Sequence, residues 1–353
     1  MNFFIDINHP AHVHYFKNLI FKLKEEGHSV FVSNRKSQLI DYLLDVYQID
    51  HFTRTSRPTK KSRFASLLYL LKMISDVGKL SFGKKIDIYL GFASPACAFW
   101  GWVRRKPSII LDDTEHNHLN HRIYSSFCTA ILTPFYFKKN LGPKQIYFKA
   151  YIEQLYLHSN FFKVEHNEEF EPYALCRFIA YDAAHDRNVQ GQLSSEQKFC
   201  IVDLLSKYIK VFVSEESYEN RDPRFDKFRL TINPEDIHQV IAKSSLFISE
   251  GATMASEAGI LGTNFIYCNP LQVGYILELA DNFPNAKIGT FDQIVNVIEN
   301  LDFTSMNFFV RETIENETIN PTKFLHWYLT TYPESQKIIK ENPDYQFNLP
   351  DNF

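Results

Sequence analysis

Apolar residues alternate between two periods along this chain. Residues 2–8 (NFFIDIN) are a short, almost continuous apolar run, which predicts a buried strand. In residues 13–26 the apolar positions Phe16, Leu19, Ile20 and Leu23 fall at i, i+3, i+4 and i+7, which predicts a helix ended by Gly27. The alternation continues with a strand at 29–34, a helix at 37–47 and a strand at 86–92. A helix opened by Ser94-Pro95-Ala96 follows, then strands at 107–113 and 128–133. Strands alternating with helices predict a parallel sheet with right-handed crossovers. The polar stretch 163–171 breaks the pattern and reads as a link. After it come a strand at 175–181, a helix at 194–207, a strand at 210–214 and a helix at 233–243. A strand at 245–249, a helix at 253–261 with Gly262 at its left-handed cap, and a strand at 264–267 follow. Helices at 274–280 and 291–301 and one amphipathic stretch at 321–341 close the chain. The expected class is α/β: two doubly wound, Rossmann-like domains at 1–165 and 166–320, with residues 321–353 packing back on the first.

Composition narrows the class. The chain has 353 residues, 45% hydrophobic and 22% charged, as expected for two folded domains. A formal net charge of -3 gives no reason to expect nucleic acid as a partner. The cysteines at 97, 128, 176, 200 and 268 lie far apart with no CxxC, which argues against structural zinc and for a reducing compartment. The start of the chain enters a strand without a basic leader. No apolar run approaches the ~20 residues of a membrane span, so the expected location is the cytoplasm. Residues 53–63 (TRTSRPTKKSR) are basic and turn-rich, and they lead into FASLLYLLKMISDVGKLSFGKK, a helix with a broad apolar face and basic ends. It reads first as a core helix after a solvated loop. A second reading is a peripheral contact with an anionic inner membrane or a lipid-linked substrate.

Ligands of such folds bind at the carboxyl edge of the sheet, so the loops after strands carry the candidate chemistry. The first holds His9, His12 and His14. Histidine serves as a base or a phosphate contact near neutral pH, and a helix start would keep His12 neutral. The same run also reads as a solvent-facing cap, and no carboxylate spacing supports a metal. Asp112, Asp113, Glu115 and His116 follow another strand. They could orient hydroxyls, act as a base or hold a divalent cation, and they also read as capping sequence. In the second half Arg177, Asp182 and His185 flank the first strand–helix loop. Glu250, Gly251, Ala252 and Thr253 lead into a helix whose free N–H groups and dipole suit a phosphate, with carboxylates such as Glu257 suited to ribose hydroxyls. The plainer reading is a crossover helix capped by Thr253 with Glu257 solvated.

Segments 6–20 (DINHPAHVHYFKNLI), 112–116 (DDTEH), 177–186 (RFIAYDAAHD) and 250–263 (EGATMASEAGILGT) together resemble the domain of unknown function 354 family, over about residues 1–301. That family is similar to glycosyltransferases of the GT-B fold, and more distantly to MurG-type transferases and UDP-N-acetylglucosamine 2-epimerases. The resemblance implies a GT-B-like architecture, two Rossmann-like domains with a nucleotide-sugar in the cleft between them. It implies a nucleotide-sugar donor, a UDP-sugar most commonly, used as substrate with no cofactor and no metal. In MurG-like enzymes a Gly-Gly-His-Val segment follows the first strand. Here Ala11-His12-Val13 stands there without the glycines, which carries His12 over as base or acceptor contact. Glu257 matches the ribose carboxylate. Gly251, Ala252 and Thr253 match the phosphate loop, with Ala252 in place of a frequent glycine. The expected activity is metal-independent glycosyl transfer to a cell-surface polysaccharide or lipid-linked acceptor, with His12 or an acid among Asp112, Asp113 and Glu115 taking the proton. The alternatives are a non-hydrolysing nucleotide-sugar 2-epimerase and a catalytically inactive nucleotide- or glycan-binding module.

Overall fold

The computed structural model describes residues 1–56, 63–165, 171–179, 191–216, 221–303 and 308–350. The chain divides into two compact units, Met1–Phe161 with Thr318–Phe353, and Phe162–Glu317. Unit 1 opens with β1 (Asn2–Ile7), α1 (Pro10–Glu25), β2 (Ser29–Arg35), α2 (Gln38–Val46) and β3 (His51–Arg54). It continues through α3 (Arg63–Ser81), β4 (Ile88–Phe92), α4 (Pro95–Arg104) and β5 (Ser108–Leu111). Then come α5 (His118–Phe127), β6 (Ala130–Pro134), β7 (Gln145–Phe148) and the short α6 (Gln154–Leu157). The seven strands are parallel, in the order β3-β2-β1-β4-β5-β6-β7. Strands covered on both faces run apolar. In β1, Phe3, Phe4, Ile5 and Ile7 are fully buried, and Phe4 sits in register between Phe31 and Tyr89. The sequence pattern does not predict β3 (HFTR) or β7 (QIYF), because four residues are too few for a period to show. α1 begins three residues earlier than its apolar spacing predicts. Pro10 takes the first helical position and His9 caps it, its Nδ1 accepting from the Ala11 N–H at 3.2 Å.

Unit 2 runs through β8 (Tyr173–Phe178), α7 (Ser195–Leu205), β9 (Lys210–Glu215), α8 (Ile237–Lys243), β10 (Leu246–Ser249) and α9 (Ala252–Ile260). It continues with β11 (Phe265–Tyr267), α10 (Gly274–Asn282), β12 (Ala286–Ile288), α11 (Phe291–Asn300) and α12 (Phe308–Glu317). Its five strands are parallel, in the order β12-β11-β10-β8-β9. The core joins Ala174, Cys176 and Phe178 of β8 to Ile201, Val202 and Leu205 of α7. Gly262, at φ +80°, ends α9 in the left-handed cap that the sequence predicts. The start of α9 differs from the expectation: Gly251 is its N-cap and offers no side-chain bond, so Thr253 lies inside the first turn and caps nothing. β12 and α12 are also absent from the sequence pattern.

Residues after Glu317 return to unit 1 as α13 (Pro321–Thr330) and α14 (Glu334–Glu341). Thr322 Oγ1 donates to the Leu155 carbonyl at 2.8 Å, and His326 Nε2 lies 2.8 Å from Glu26 Oε2 at the end of α1. The expected single helix at 321–341 is two, divided at Pro333, whose nitrogen has no hydrogen to donate. Among the described residues no helix is long and apolar enough to cross a membrane.

Candidate functional site

In unit 1 the chain passes from β1 to β2 on one side and returns to β4 on the other. Loops diverge at such a switch point, which is where ligands enter. Asp6, near the end of β1, is fully buried beneath it. Its Oδ1 accepts from Ser33 Oγ at 2.8 Å and Arg54 Nε at 3.0 Å. Its Oδ2 accepts from Asn8 Nδ2 at 2.8 Å and Ser94 Oγ at 2.9 Å. Burial alone would raise the Asp6 carboxyl, but the charge and hydrogen bonds of Arg54 outweigh it and hold the group below its ordinary range. Ser94 also caps α4, accepting from the Cys97 N–H, so the Asp6–Ser94 bond ties the β4 loop to β1.

His12 lies above this network, buried against Phe92 at 4.7 Å between ring centres. Its Nδ1 accepts from the Asn8 N–H at 3.3 Å. The neutral ring therefore carries its proton on Nε2 and presents a donor there. Burial first, then the charges of His9 and Arg35, hold its pKa well below the ordinary value. His9 is exposed, with its Nδ1 engaged in the cap of α1. His14 does not join them. Two residues along a helix turn a side chain through about 200°, and His14 packs between Tyr47 and Tyr156, with its Nδ1 3.4 Å from the Tyr47 hydroxyl. The three histidines expected together are thus split between loop and interior.

The acid cluster after β5 divides in the same way. Asp112 is fully buried and occupied: Oδ1 accepts from the Thr114 N–H at 2.8 Å, and Oδ2 from the Tyr124 hydroxyl at 2.5 Å. His121 Nε2 stands 3.2 Å from the same Oδ2. Asp112 therefore braces the loop. Glu115 Oε1 accepts from the Lys138 N–H at 2.5 Å and is likewise held. His116 is exposed. Asp113 differs: burial, then the neighbouring Asp112, push its half-buried carboxyl up to about 7. Lys139 Nζ lies 2.7 Å from both His118 Nδ1 and His121 Nδ1. An ammonium only donates, so both Nδ1 atoms accept, and His121 keeps its proton on Nε2 toward Asp112. The Lys139 charge lowers the pKa of His118.

Unit 2 has its switch point between β8 and β10. Glu250 is fully buried there, its Oε2 accepting from the Ile179 N–H at 3.0 Å and from Lys198 Nζ at 2.8 Å. It ties the β8 and β10 loops together. Gly251 has φ -89°, open to any residue, and an added Cβ would meet only ordinary contacts. Ala252 and Thr253 are half-buried in the first turn of α9. Glu257 is buried, with Oε1 3.2 Å from His238 Nε2 on α8, so the plainer reading of a solvated carboxylate does not hold. Arg177 Nη1 donates to Ser214 Oγ at 2.6 Å. Asp182 and His185 lie outside the described residues. Also among the described residues, no group of three or more His, Cys, Asp or Glu is placed to hold a metal ion.

The family described as protein of unknown function, DUF354, matches residues 1–167. That stretch is similar to the DUF354 family. No curated protein is a significant sequence match. Among solved structures, a UDP-GlcNAc 2-epimerase from Neisseria meningitidis bound to UDP-GlcNAc is similar at TM-score 0.67 and 13% identity, over 94% of this chain and 100% of the other. MurG from Acinetobacter baumannii is similar at TM-score 0.56 and 12% identity, over 92% and 98%. The spinosyn rhamnosyltransferase SpnG, complexed with thymidine diphosphate, is similar at 0.58 and 11%, over 94% and 99%. The fold is therefore that of the GT-B glycosyltransferases and UDP-GlcNAc 2-epimerases.

Sequence reasoning passed over the residues that brace these loops. In unit 1 they are Asp6, Arg54, Ser94, His121 and Lys139, and in unit 2 Lys198 and His238. Asp6 carries a signal, since an acid inside FFIDI must be paired to be buried there. The cations that answer these acids come from other elements, and nothing in their local sequence marks them.

Proposed function

We propose that the protein is a nucleotide-sugar-dependent glycosyltransferase, metal-independent, acting on a glycan or lipid-linked acceptor. The observation that carries this reading is the β10–α9 turn. There α9 starts directly from the sheet edge with an N-cap glycine, and no side chain caps its first N–H groups. That arrangement suits a diphosphate, and the binding of UDP-GlcNAc and thymidine diphosphate by proteins of the same fold supports it.

In this reading Gly251, Ala252 and Thr253 hold the diphosphate. Glu257 exchanges its His238 partner for the ribose hydroxyls, and Glu250 with Lys198 fixes the loop. In unit 1, Asp113 is the base. A carboxyl titrating at about 7 is substantially ionised at neutral pH and still basic enough to take a hydroxyl proton. His12, neutral with its proton on Nε2, donates a hydrogen bond to the acceptor. The acceptor oxygen gives its proton to Asp113 and bonds to the anomeric carbon. The bond from that carbon to the diphosphate breaks, and its electron pair leaves with the nucleoside diphosphate, stabilised by the α9 N–H groups. The cytoplasmic face of a membrane is the compartment proposed.

The second reading is epimerisation of the donor, in which Asp113, able to hold or release a proton near neutrality, would both remove and return one. The test incubates each nucleotide-sugar with and without acceptor sugars and follows products by chromatography. Release of nucleoside diphosphate only with an acceptor supports transfer. Conversion of the donor alone supports epimerisation. Binding of a nucleotide-sugar without turnover supports an inactive module and refutes both enzymatic readings.

A further inference from the structure

We infer that unit 1 docks on an anionic lipid bilayer through the outer face of α3. α3 is apolar on two sides. One side, with Met73 and Val77, packs against α4, where Trp100 Nε1 donates to the Ile74 carbonyl at 2.6 Å. On the opposite side Phe64, Leu67, Leu68 and Leu71 recur at i, i+3, i+4 and i+7, and they are 70%, 53%, 50% and 55% exposed. Phe82 follows five helical turns after Phe64, on the same side, and is 81% exposed. An amphipathic helix of a folded protein hides one stripe; this one hides one and leaves a second apolar stripe in solvent.

The charge says what covers it. Residues 64–106 contain seven Lys or Arg and two Asp, a surplus of five positive charges in a chain of net charge -3. Both acids are engaged: Asp76 accepts from Thr55, and Asp87 from Asn2 with Lys106 close by. Lys72 and Lys79 are exposed along the stripe's edge, and Lys85 lies just beyond it. At the far end Arg104 Nη1 donates to the Ser81 carbonyl at 2.7 Å, which fixes the last turn of α4 against the end of α3. Exposed apolar side chains flanked by lysines match the acyl boundary and the anionic headgroups of a bilayer surface. A second copy of this face would meet it with like charge.

The inference does not depend on the donor reading: a chain that binds no nucleotide would still sediment with vesicles. Full-length protein is spun with vesicles of phosphatidylglycerol mixed into phosphatidylcholine, and with phosphatidylcholine alone. The protein is expected to pellet with the anionic vesicles, less so as salt is raised. Leu67→Ser with Leu71→Ser should lower the partition coefficient at least tenfold. Lys72→Gln with Lys79→Gln should lower it about fivefold per charge removed. All four side chains are exposed, so both variants should melt as the wild type does. Failure to pellet with anionic vesicles overturns the inference, as does equal binding by the leucine variant. So does a dimer in solution that the leucine variant breaks into monomers, because a second copy would then cover the face.

Discussion

Replacing Arg54 with Leu should destabilise unit 1 strongly, and by an amount that depends on pH. Asp6 and Arg54 are both fully buried, with Arg54 Nε 3.0 Å from Asp6 Oδ1. Removing one partner of a buried ion pair costs about 3–5 kcal/mol, because the other charge is left uncompensated. Three neutral donors remain on Asp6, from Ser33, Ser94 and Asn8, so the lower half of that range applies here. At about 2–4 °C per kcal/mol for a unit of this size, the transition should fall by roughly 6–16 °C. The pH dependence has a definite sign. In the wild type the folded pKa of Asp6 is depressed, so its contribution is present above the unfolded pKa and lost as pH falls through the folded value. Without Arg54, burial raises the folded pKa above the unfolded one, and protonation relieves the variant on acidification. The gap between variant and wild type is therefore largest at neutral pH and narrows toward pH ~4. Adding Asp6→Asn should recover part of the loss at pH 7. Calorimetric melts between pH 4 and 8 measure this. A variant melting within 2 °C of wild type at pH 7, or a gap that does not change with pH, would refute the reasoning.

Asp113→Asn should cost about 10²–10⁴ in turnover with nucleotide binding unchanged. Since the base must be ionised, the wild-type rate should rise through a pH of about 7, and that limb should vanish in the variant. His12 binds fewer protons folded than unfolded, so wild-type stability should fall as pH drops from about 7 to 5, and His12→Gln should lose less over that range in melts at matched pH. Gly259→Ala should destabilise unit 2 by about 1–3 kcal/mol, read as a lower melting transition, because the added Cβ would lie 2.8 Å from Phe265 Cε1 and 3.0 Å from Leu279 Cδ1.

What could be read from sequence follows from how local each feature is. The strand NFFIDIN and the helix with Phe16, Leu19, Ile20 and Leu23 announce themselves, because buried strands and amphipathic helices write their period into consecutive residues. Four-residue strands such as β3 do not. The loops after β1, β5 and β10 could be marked as polar positions at the carboxyl edge. Which of their side chains face outward could not, because that depends on partners distant in sequence. Glu250 is claimed by Lys198, Glu257 by His238, and Asp112 by Tyr124 and His121. Only Asp113 of its cluster keeps a shifted, half-buried carboxyl. His14 shows the same limit: adjacency to His12 in sequence places it on the opposite side of α1.

The most direct test of the account is a melting panel of the full chain with UDP, GDP, CDP, TDP and ADP. A nucleotide held at ~100 times its dissociation constant should stabilise unit 2 by about 2.7 kcal/mol. The account predicts a raised transition with one of the five, reduced in Glu257→Gln. No shift with any of them at millimolar concentration, or a shift untouched by Glu257→Gln, would contradict the placement of a nucleotide on the β10–α9 turn.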